Sequence, residues 1–231
     1  MDDTIADLLA DRDADKAHKF MLSYEERRIA SWADAQRDAA ARAATSKHLP
    51  HSRGQLRHHY GERALAESAA EAGCGHLPFT SLPPGGVCVV ARVGRFALVS
   101  VKVGFDGAVP RKSVMRELLA RPNAELDPQG ALFGSSQRRE KPTELAYFGC
   151  LVAVPMRRDP SVPSILAFAV PSTTLDRWFY WTPLSSLHAA LQKRMDRRTD
   201  RAAGTPIPDR AFPKLRIPKA PDESAGGDAS A

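Results

Sequence analysis

The sequence has no long hydrophobic run. Although 43% of its 231 residues are hydrophobic, no apolar stretch approaches the roughly 20 residues that a helix needs to cross a bilayer. The chain opens with Met1-Asp2-Asp3, an acidic start with neither a basic n-region nor an apolar h-region, so we expect no secretory signal. A chain of this length fits one domain with extensions or two small domains, and can bury a sizeable core.

Cysteine is also scarce. The three cysteines, Cys74, Cys88 and Cys150, form no CxxC pair and no Cys/His zinc spacing. An odd number of scattered cysteines in apolar surroundings predicts reduced thiols, which are typical of a cytoplasmic protein. Histidines crowd between His48 and His59, but no cysteine or carboxylate completes a metal-ligand set with them. A basic segment without a metal is therefore the favoured interpretation there.

The charge balance of the chain is positive. The formal net charge is +6 and the isoelectric point is about 9.4, which favours an anionic partner, nucleic acid first and a membrane surface second. The basic helices lack the large apolar face that interfacial insertion requires, so we expect no membrane association. The same charge is equally compatible with a moderately basic soluble protein that binds no anion.

Composition divides the chain into four parts. We predict a helical arm over residues 1–46, a polar linker over 47–57, an α/β core over 58–203 and a Pro-rich basic tail, disordered, over 204–231. The linker prediction rests on a polar, basic segment that contains a proline and a glycine. No internal repeat is present.

The arm contains two candidate helices. Ser23 and Glu26 have the spacing of a capping box, which predicts that the second helix begins at Ser23. That helix places Ile29, Trp32 and several alanines along one face. Because such a face can dock on another element but cannot form a large core, an accessory arm is favoured over a self-associating coiled coil.

The chain is organised around a hairpin at Gly85–Gly104. Its two halves are rich in β-branched residues, and Gly94 supplies the turn. Pairing centred on Gly94 predicts that Cys88 faces Ser100. Lys102 lies two residues beyond Ser100, so the period of two puts both side chains on one face of the sheet.

The remaining core segments complete the fold class. Leu145–Met156 and Ser164–Pro171 are nearly continuous apolar runs, typical of central strands covered on both faces. The aromatic segment Trp178–Trp181 is either a packing strand or a base-stacking surface, and packing is favoured. We therefore predict an α/β fold with a mixed central sheet of about four to five strands flanked by helices, an N-terminal helical arm and a disordered C-terminal tail.

One acidic residue lies on the apolar side of a predicted helix. In the segment His58–Gly73, helical spacing puts Glu62 on the same stripe as Leu65 and Ala69. A buried carboxylate is costly unless it is paired or metal-bound. Glu62 is therefore either a site residue or a carboxylate at the edge of the stripe whose head reaches water.

The order of these motifs resembles the PD-(D/E)XK nuclease superfamily, in particular its small endonuclease and Holliday-junction-resolvase members. Gly61-Glu62 matches the first helix of that pattern, Gly85–Arg92 is similar to the strand that carries a metal-binding aspartate, and Val99–Lys102 is similar to the Glu-x-Lys strand. The resemblance implies two carboxylates that hold a divalent cation, with a lysine near the attacked phosphate.

The chain departs from that pattern at the metal ligands. Cys88 stands where the resemblance implies an aspartate, and Ser100 stands where it implies a glutamate. A thiol and a hydroxyl are poor ligands for magnesium. We therefore expect a degenerate, catalytically inactive site at Lys102, Glu62, Ser100 and Cys88, with no cofactor. Magnesium or manganese enters only in the alternative of an altered nuclease built from Glu62, Asp106 and Lys102.

The leading hypothesis is a nucleic-acid-binding protein on a nuclease-like core. The expected phosphate contacts, apart from Lys102, are cations near the hairpin, after it and on the last helix: Arg92, Arg95, Arg111, Lys112, Lys193, Arg194, Arg197 and Arg198. The alternatives are the altered metal-dependent nuclease and a regulatory interaction module that contacts a protein partner through the N-terminal helices.

Overall fold

A computed structural model describes residues 2–11, 13–43, 45–80, 87–127 and 146–204. The helices are α1 (Asp2–Ala10), α2 (Ala14–Arg42), α3 (Leu49–Glu71), α4 (Val114–Ala120) and α5 (Leu184–Gly204), with a 3-10 helix over Arg121–Leu126. The strands are β1 (Gly75–Thr80), β2 (Val87–Val93), β3 (Phe96–Lys102), β4 (Tyr147–Pro155), β5 (Pro163–Pro171) and β6 (Trp178–Pro183).

The strands form one mixed sheet in the order β1-β2-β3-β4-β5-β6. Strands β3 and β4 are parallel, and the other neighbours are antiparallel. The predicted mixed α/β fold is confirmed, with six strands rather than four or five. Strand β1 could not be predicted from the sequence, because Gly75 and Pro78 both disfavour a strand interior. Because β1 lies at the edge of the sheet, it tolerates the proline.

Two layers of side chains cover the two faces of the sheet. On one face, Phe20 and Trp32 of α2 and Leu65 of α3 pack with Phe96 and Leu98 of β3, together with apolar residues of α1 and α5. On the other face, the odd-numbered valines of β3 pack with the even-numbered residues of β4 and with the end of α4. The period-two alternation of β3 therefore decides which layer each of its side chains joins.

The N-terminal helices belong to this core. Helix α2 starts at Ala14, where Asp13 caps it by accepting a hydrogen bond from the Lys16 amide at 3.1 Å. The predicted helix start at Ser23 is wrong, because Ser23 lies inside α2 and its buried hydroxyl donates to Glu71 of α3 at 2.6 Å. The predicted accessory helical arm does dock on the core, and it contributes more to it than expected, since α2 places large side chains against the sheet.

The predicted linker is largely helical. Helix α3 begins at Leu49, so residues 49–57 form its first turns and the linker prediction is wrong there. Pro50 lies in the first turn, where its missing N–H would have had no helical partner and its fixed φ suits the helix. Gly54 lowers helix propensity, but packing of α3 against α2 and the sheet outweighs that loss.

The hairpin has a register that differs by one residue from the prediction. Val93 pairs with Phe96 and Ala91 pairs with Leu98, so the turn is Gly94-Arg95 rather than a turn centred on Gly94. Gly94 has φ +54°, and a Cβ there would collide with the backbone of α1. The Arg95 amide donates to the Leu8 carbonyl at 2.9 Å. Contacts with α1 therefore hold the turn in place.

Two expectations concern residues outside the described ranges. The predicted disordered tail falls, except for Gly204 at the end of α5, on residues 205–231, and Gly85 and Gly86 of the resemblance also lie outside the described part. Among the described helices, none combines the length and the apolar character that crossing a bilayer requires.

Candidate functional site

The site lies where β3 approaches α2 and α3. Ser100 and Lys102 have the same parity as Phe96 and Leu98, so their side chains leave the sheet on the helix-covered face. The Ser100 hydroxyl lies 2.9 Å from the Tyr24 hydroxyl of α2. Ser100 is therefore bound to a core side chain rather than open to a ligand.

A buried arginine fills the space beside Ser100. The Arg28 side chain is 1% exposed, and its Nη1 donates to the Arg57 carbonyl of α3 at 2.9 Å. Gly61 makes this approach of α3 possible, because a Cβ there would lie 2.5 Å from Arg28 Nη1 and 2.9 Å from Ser100 Oγ. Burial lowers the pKa of Arg28, opposed by Tyr24 and Glu62.

Trp32 contacts two guanidinium groups. Its ring centroid lies 5.1 Å from Arg28 Cζ and 4.1 Å from Arg57 Cζ. Both arginines are buried, and the Nε of each has no hydrogen-bond partner among the described residues. Favourable contact of the cations with the ring offsets part of their desolvation, so Trp32 helps to keep two buried positive charges close together.

Glu62 is the inward carboxylate that the helical spacing predicts. It is buried, and its Oε2 accepts a hydrogen bond from the Val89 amide of β2. Burial raises the pKa of Glu62 to about 7, although the Val89 hydrogen bond, Arg28 and Arg116 act in the opposite direction. The carboxyl group therefore exchanges its proton near neutral pH.

Cys88 does not join this group, which corrects the predicted convergence of four residues. Cys88 lies on the same face of β2 as Val90, and the one-residue shift in register turns that face away from Ser100 and toward the second core layer. Its Sγ lies 3.4 Å from the Met115 Sδ of α4. Burial, reinforced by Glu62, raises the pKa of Cys88 and keeps the thiol protonated. Glu62, Ser100 and Lys102 share the helix-covered face, and Cys88 lies on the other.

These residues do not fit a divalent cation. Within the described ranges, no group of three His, Cys, Asp or Glu side chains is arranged to hold a metal ion. Glu62 already accepts from Val89, and the guanidinium of Arg28 occupies the space beside Ser100. Asp106, the acid of the nuclease alternative, accepts a hydrogen bond from the Ala108 amide at 3.2 Å in its own exposed turn.

Lys102 lies in a concentration of positive charge. Burial lowers the pKa of Lys102, and Arg57, Arg53 and Arg28 lower it further. A Cβ on Gly54 would lie 3.8 Å from Lys102 Nζ, so the lysine runs along the first turns of α3. We call Arg28, Arg53, Arg57 and Lys102 the basic cluster.

No carboxylate lies within ion-pair distance of the basic cluster in the part of the chain that the structure describes, and Glu62 acts on Arg28 from farther away. The contacts of the cluster are neutral: Arg53 donates to the Gln36 side-chain oxygen at 3.1 Å, and Arg57 donates to the Pro160 carbonyl. Burial, together with repulsion from Arg53 and Arg28, lowers the pKa of Arg57 to about 10. Arg53 and Lys102 reach the surface, while Arg28 and Arg57 lie behind them.

The other predicted phosphate contacts do not converge on this cluster. Arg92 and Arg95 lie at the turn end of the hairpin, opposite the Lys102 end of β3, and Arg95 Cζ lies 5.3 Å from the Tyr147 ring centroid. Arg194 on α5 pairs with Asp3 and Asp7 of α1. Four more of the predicted contacts have exposed side chains: Arg111 and Lys112 before α4, and Lys193 and Arg197 on α5. The side chain of Arg198 lies outside the described part of the structure.

Sequence reasoning missed Arg28, Arg53 and Arg57. A signal was present, because Tyr24, Arg28 and Trp32 follow one another at a spacing of four residues and share one helical stripe. A cation on an apolar stripe is rarely buried without a specific partner. The aromatic segment is chiefly structural: Tyr180 is buried near Phe168, and the Trp178 indole donates to the Gly107 carbonyl at 2.9 Å.

No family model, curated protein or solved structure matches the chain. The site must therefore be interpreted from its own geometry.

Proposed function

We propose that this protein binds the phosphate backbone of nucleic acid through Lys102 and Arg53, on a nuclease-like core that does not cleave. The observation that carries the proposal is the basic cluster: cations close enough to lower the pKa of Lys102, with no paired carboxylate among the described residues. Such a cluster repels itself in the free protein. An anion that enters it removes this repulsion and is bound favourably.

The surroundings of the cluster also favour an anion. Arg28 and Arg57 are fixed behind the surface by hydrogen bonds to backbone carbonyls. These two side chains add positive electrostatic potential at the surface and lose no further conformational freedom when an anion binds. Contacts of this kind are salt-sensitive and read no base sequence.

The test is fluorescence anisotropy with labelled oligonucleotides, both single-stranded and duplex, at salt concentrations between about 50 and 200 mM. We expect Lys102→Ala and Arg53→Ala each to weaken binding at about 50 mM salt. Each should also reduce the slope of log affinity against log salt by up to about 0.9 on duplex, as the loss of one phosphate contact requires.

Lys193→Ala and Arg197→Ala are the matched controls, because both remove an exposed cation of α5 and the same formal charge. We expect them to leave affinity nearly unchanged. Equal losses from all four variants would mean that net charge alone causes binding and would overturn the assignment to the basic cluster. Absence of binding to any oligonucleotide at about 50 mM salt would reject the proposal as a whole.

The absence of cleavage follows from the groups that occupy the site. Ser100 is hydrogen-bonded to Tyr24, and a guanidinium lies beside it where the resemblance to nucleases implies metal chemistry. Incubation with plasmid, branched DNA and RNA in magnesium or manganese should leave all of them intact. Cleavage that Lys102→Ala abolishes would contradict this part of the proposal and support the altered nuclease instead.

A further inference from the structure

Two turns meet at the end of the sheet that carries Lys102. Because β3 and β4 are parallel neighbours, the chain segments that follow them emerge side by side. The first contains Phe105 and the second contains Arg157, whose Cζ lies 5.3 Å from the Phe105 ring centroid. The phenyl ring is therefore held from one side by a cation.

Phe105 exposes more than half of its side chain to solvent. Its side chain is 54% exposed, and it is the one aromatic residue in the exposed class among the side chains that the structure describes. The other described aromatic residues are buried or half-buried. More than half of the ring surface faces water even with Arg157 in contact, so this position can present a flat apolar surface to a ligand.

The ring and the basic cluster share one edge of the molecule. Phe105 follows Lys102 by three residues, which limits the distance between their Cα atoms to about 11 Å. Arg57 of the cluster donates to the Pro160 carbonyl, in the turn that also holds Arg157. The two carboxylates of these turns are engaged locally: Asp106 accepts from Ala108 and Asp159 accepts from Ser161.

We propose that the preferred ligand is single-stranded nucleic acid, with an unpaired base stacked on Phe105 while the neighbouring phosphates contact Lys102 and Arg53. The inference rests on the proposed function, since it assigns a strand type to the same surface. Single strands are bound by surfaces that combine an aromatic ring with nearby cations, because each base offers a flat face to the ring while its phosphates contact the cations. In a duplex those faces are stacked on each other and cannot reach the ring.

The experiment compares a labelled single strand with the duplex of the same sequence at one salt concentration. We expect the wild-type protein to bind the single strand more tightly. Phe105→Ala should weaken single-strand binding roughly 5- to 100-fold, as the loss of one stacked base does, and leave duplex binding unchanged. Phe105→Trp should retain the preference, and Phe105→Leu, which is apolar but not flat, should lose most of it.

The two proposals fail in different ways. If Lys102→Ala weakens binding but Phe105→Ala changes nothing, or weakens both ligands equally, the strand preference is overturned and the proposed function stands. If the wild-type protein binds the duplex as tightly as the single strand, the strand preference is likewise overturned and the proposed function stands. If neither ligand binds, both proposals fail. Urea unfolding of Phe105→Ala should match the wild type, since the ring is exposed, and a lower stability would assign Phe105 a structural role instead.

Discussion

The hydroxyl groups of Tyr24 and Ser100 lie 2.9 Å apart, and this contact joins the second helix of the chain to the central hairpin. Tyr24 is fully buried, so its hydroxyl has no water to replace Ser100. Burial raises the pKa of Tyr24, which keeps the phenol neutral. The hydrogen bond is therefore a structural link between α2 and β3.

The strength of this link can be measured with a double-mutant cycle. We expect Tyr24→Phe and Ser100→Ala each to lower the free energy of unfolding by about 0.5–1.5 kcal/mol. The double variant should lose less than the sum, because either change alone removes the same hydrogen bond. Urea unfolding of the four proteins gives the coupling energy. Losses that simply add would show that the two hydroxyls do not interact.

Removal of the N-terminal helices should unfold the protein. A chain that begins at Thr45 lacks Phe20, Tyr24 and Trp32, which are all fully buried in the core. We expect it to be insoluble or to lose cooperative thermal unfolding, because each large side chain contributes about 3–5 kcal/mol. A fragment that unfolds cooperatively at the wild-type temperature would support a separate arm. Removal of residues 205–231 is the control and should leave the midpoint unchanged.

Two glycines of α3 allow a matched test of the site geometry. Gly61→Ala places a Cβ 2.5 Å from Arg28 Nη1 and 2.9 Å from Ser100 Oγ. Because Arg28 is enclosed, we expect a loss of about 1–3 kcal/mol in unfolding free energy. Gly54→Ala meets only Lys102 Nζ, at an ordinary 3.8 Å, and should gain up to about 1 kcal/mol through helix propensity.

Urea unfolding measures both changes. Equal effects from the two substitutions would contradict the close approach at Gly61. The effect on binding is also informative: if Gly61→Ala displaces Arg28, oligonucleotide affinity should fall together with stability, whereas Gly54→Ala should preserve affinity because Lys102 keeps its place.

Glu62 should make stability depend on pH. Its pKa in the folded protein is raised from 4.5 to about 7, so the folded state holds the proton more tightly than the unfolded state. Stability from this group is complete below about pH 4.5 and declines as pH rises through 7. Glu62→Gln should therefore stabilise the protein at pH 8, a pH above that pKa of about 7, by on the order of 1–3 kcal/mol. It should also reduce the change in unfolding free energy between about pH 5 and pH 8, the range in which that pKa makes the wild-type stability vary.

Glu67→Gln, on the same helix, is the control, because the pKa shift of Glu67 has the opposite sign to that of Glu62. Hydrogen bonding to Arg63 lowers the pKa of Glu67, so its contribution to stability is present above the unfolded pKa and disappears in acid. We expect Glu67→Gln to lose a little stability at pH 8 and none at pH 3. If Glu62→Gln instead destabilises the protein at pH 8, the ionised carboxylate is held by Arg28 and the assignment of a raised pKa is wrong.

The local pattern of the sequence determined the elements of the hairpin and their faces. β-Branched runs around Gly94 specify two strands, and the period of two places Ser100 and Lys102 together on one side. Helical spacing likewise turns Glu62 inward, and it is buried. These features depend only on residues close together in the chain, so composition and periodicity are sufficient to predict them.

Only the tertiary structure decided the register and the site. The shift that sends Cys88 to the other face depends on the contact of the Gly94-Arg95 turn with Leu8 of α1, and no local pattern contains that contact. The basic cluster likewise joins residues of α2, α3 and β3. Their repulsion arises from distances between elements, and those distances exist only once the helices have packed on the sheet.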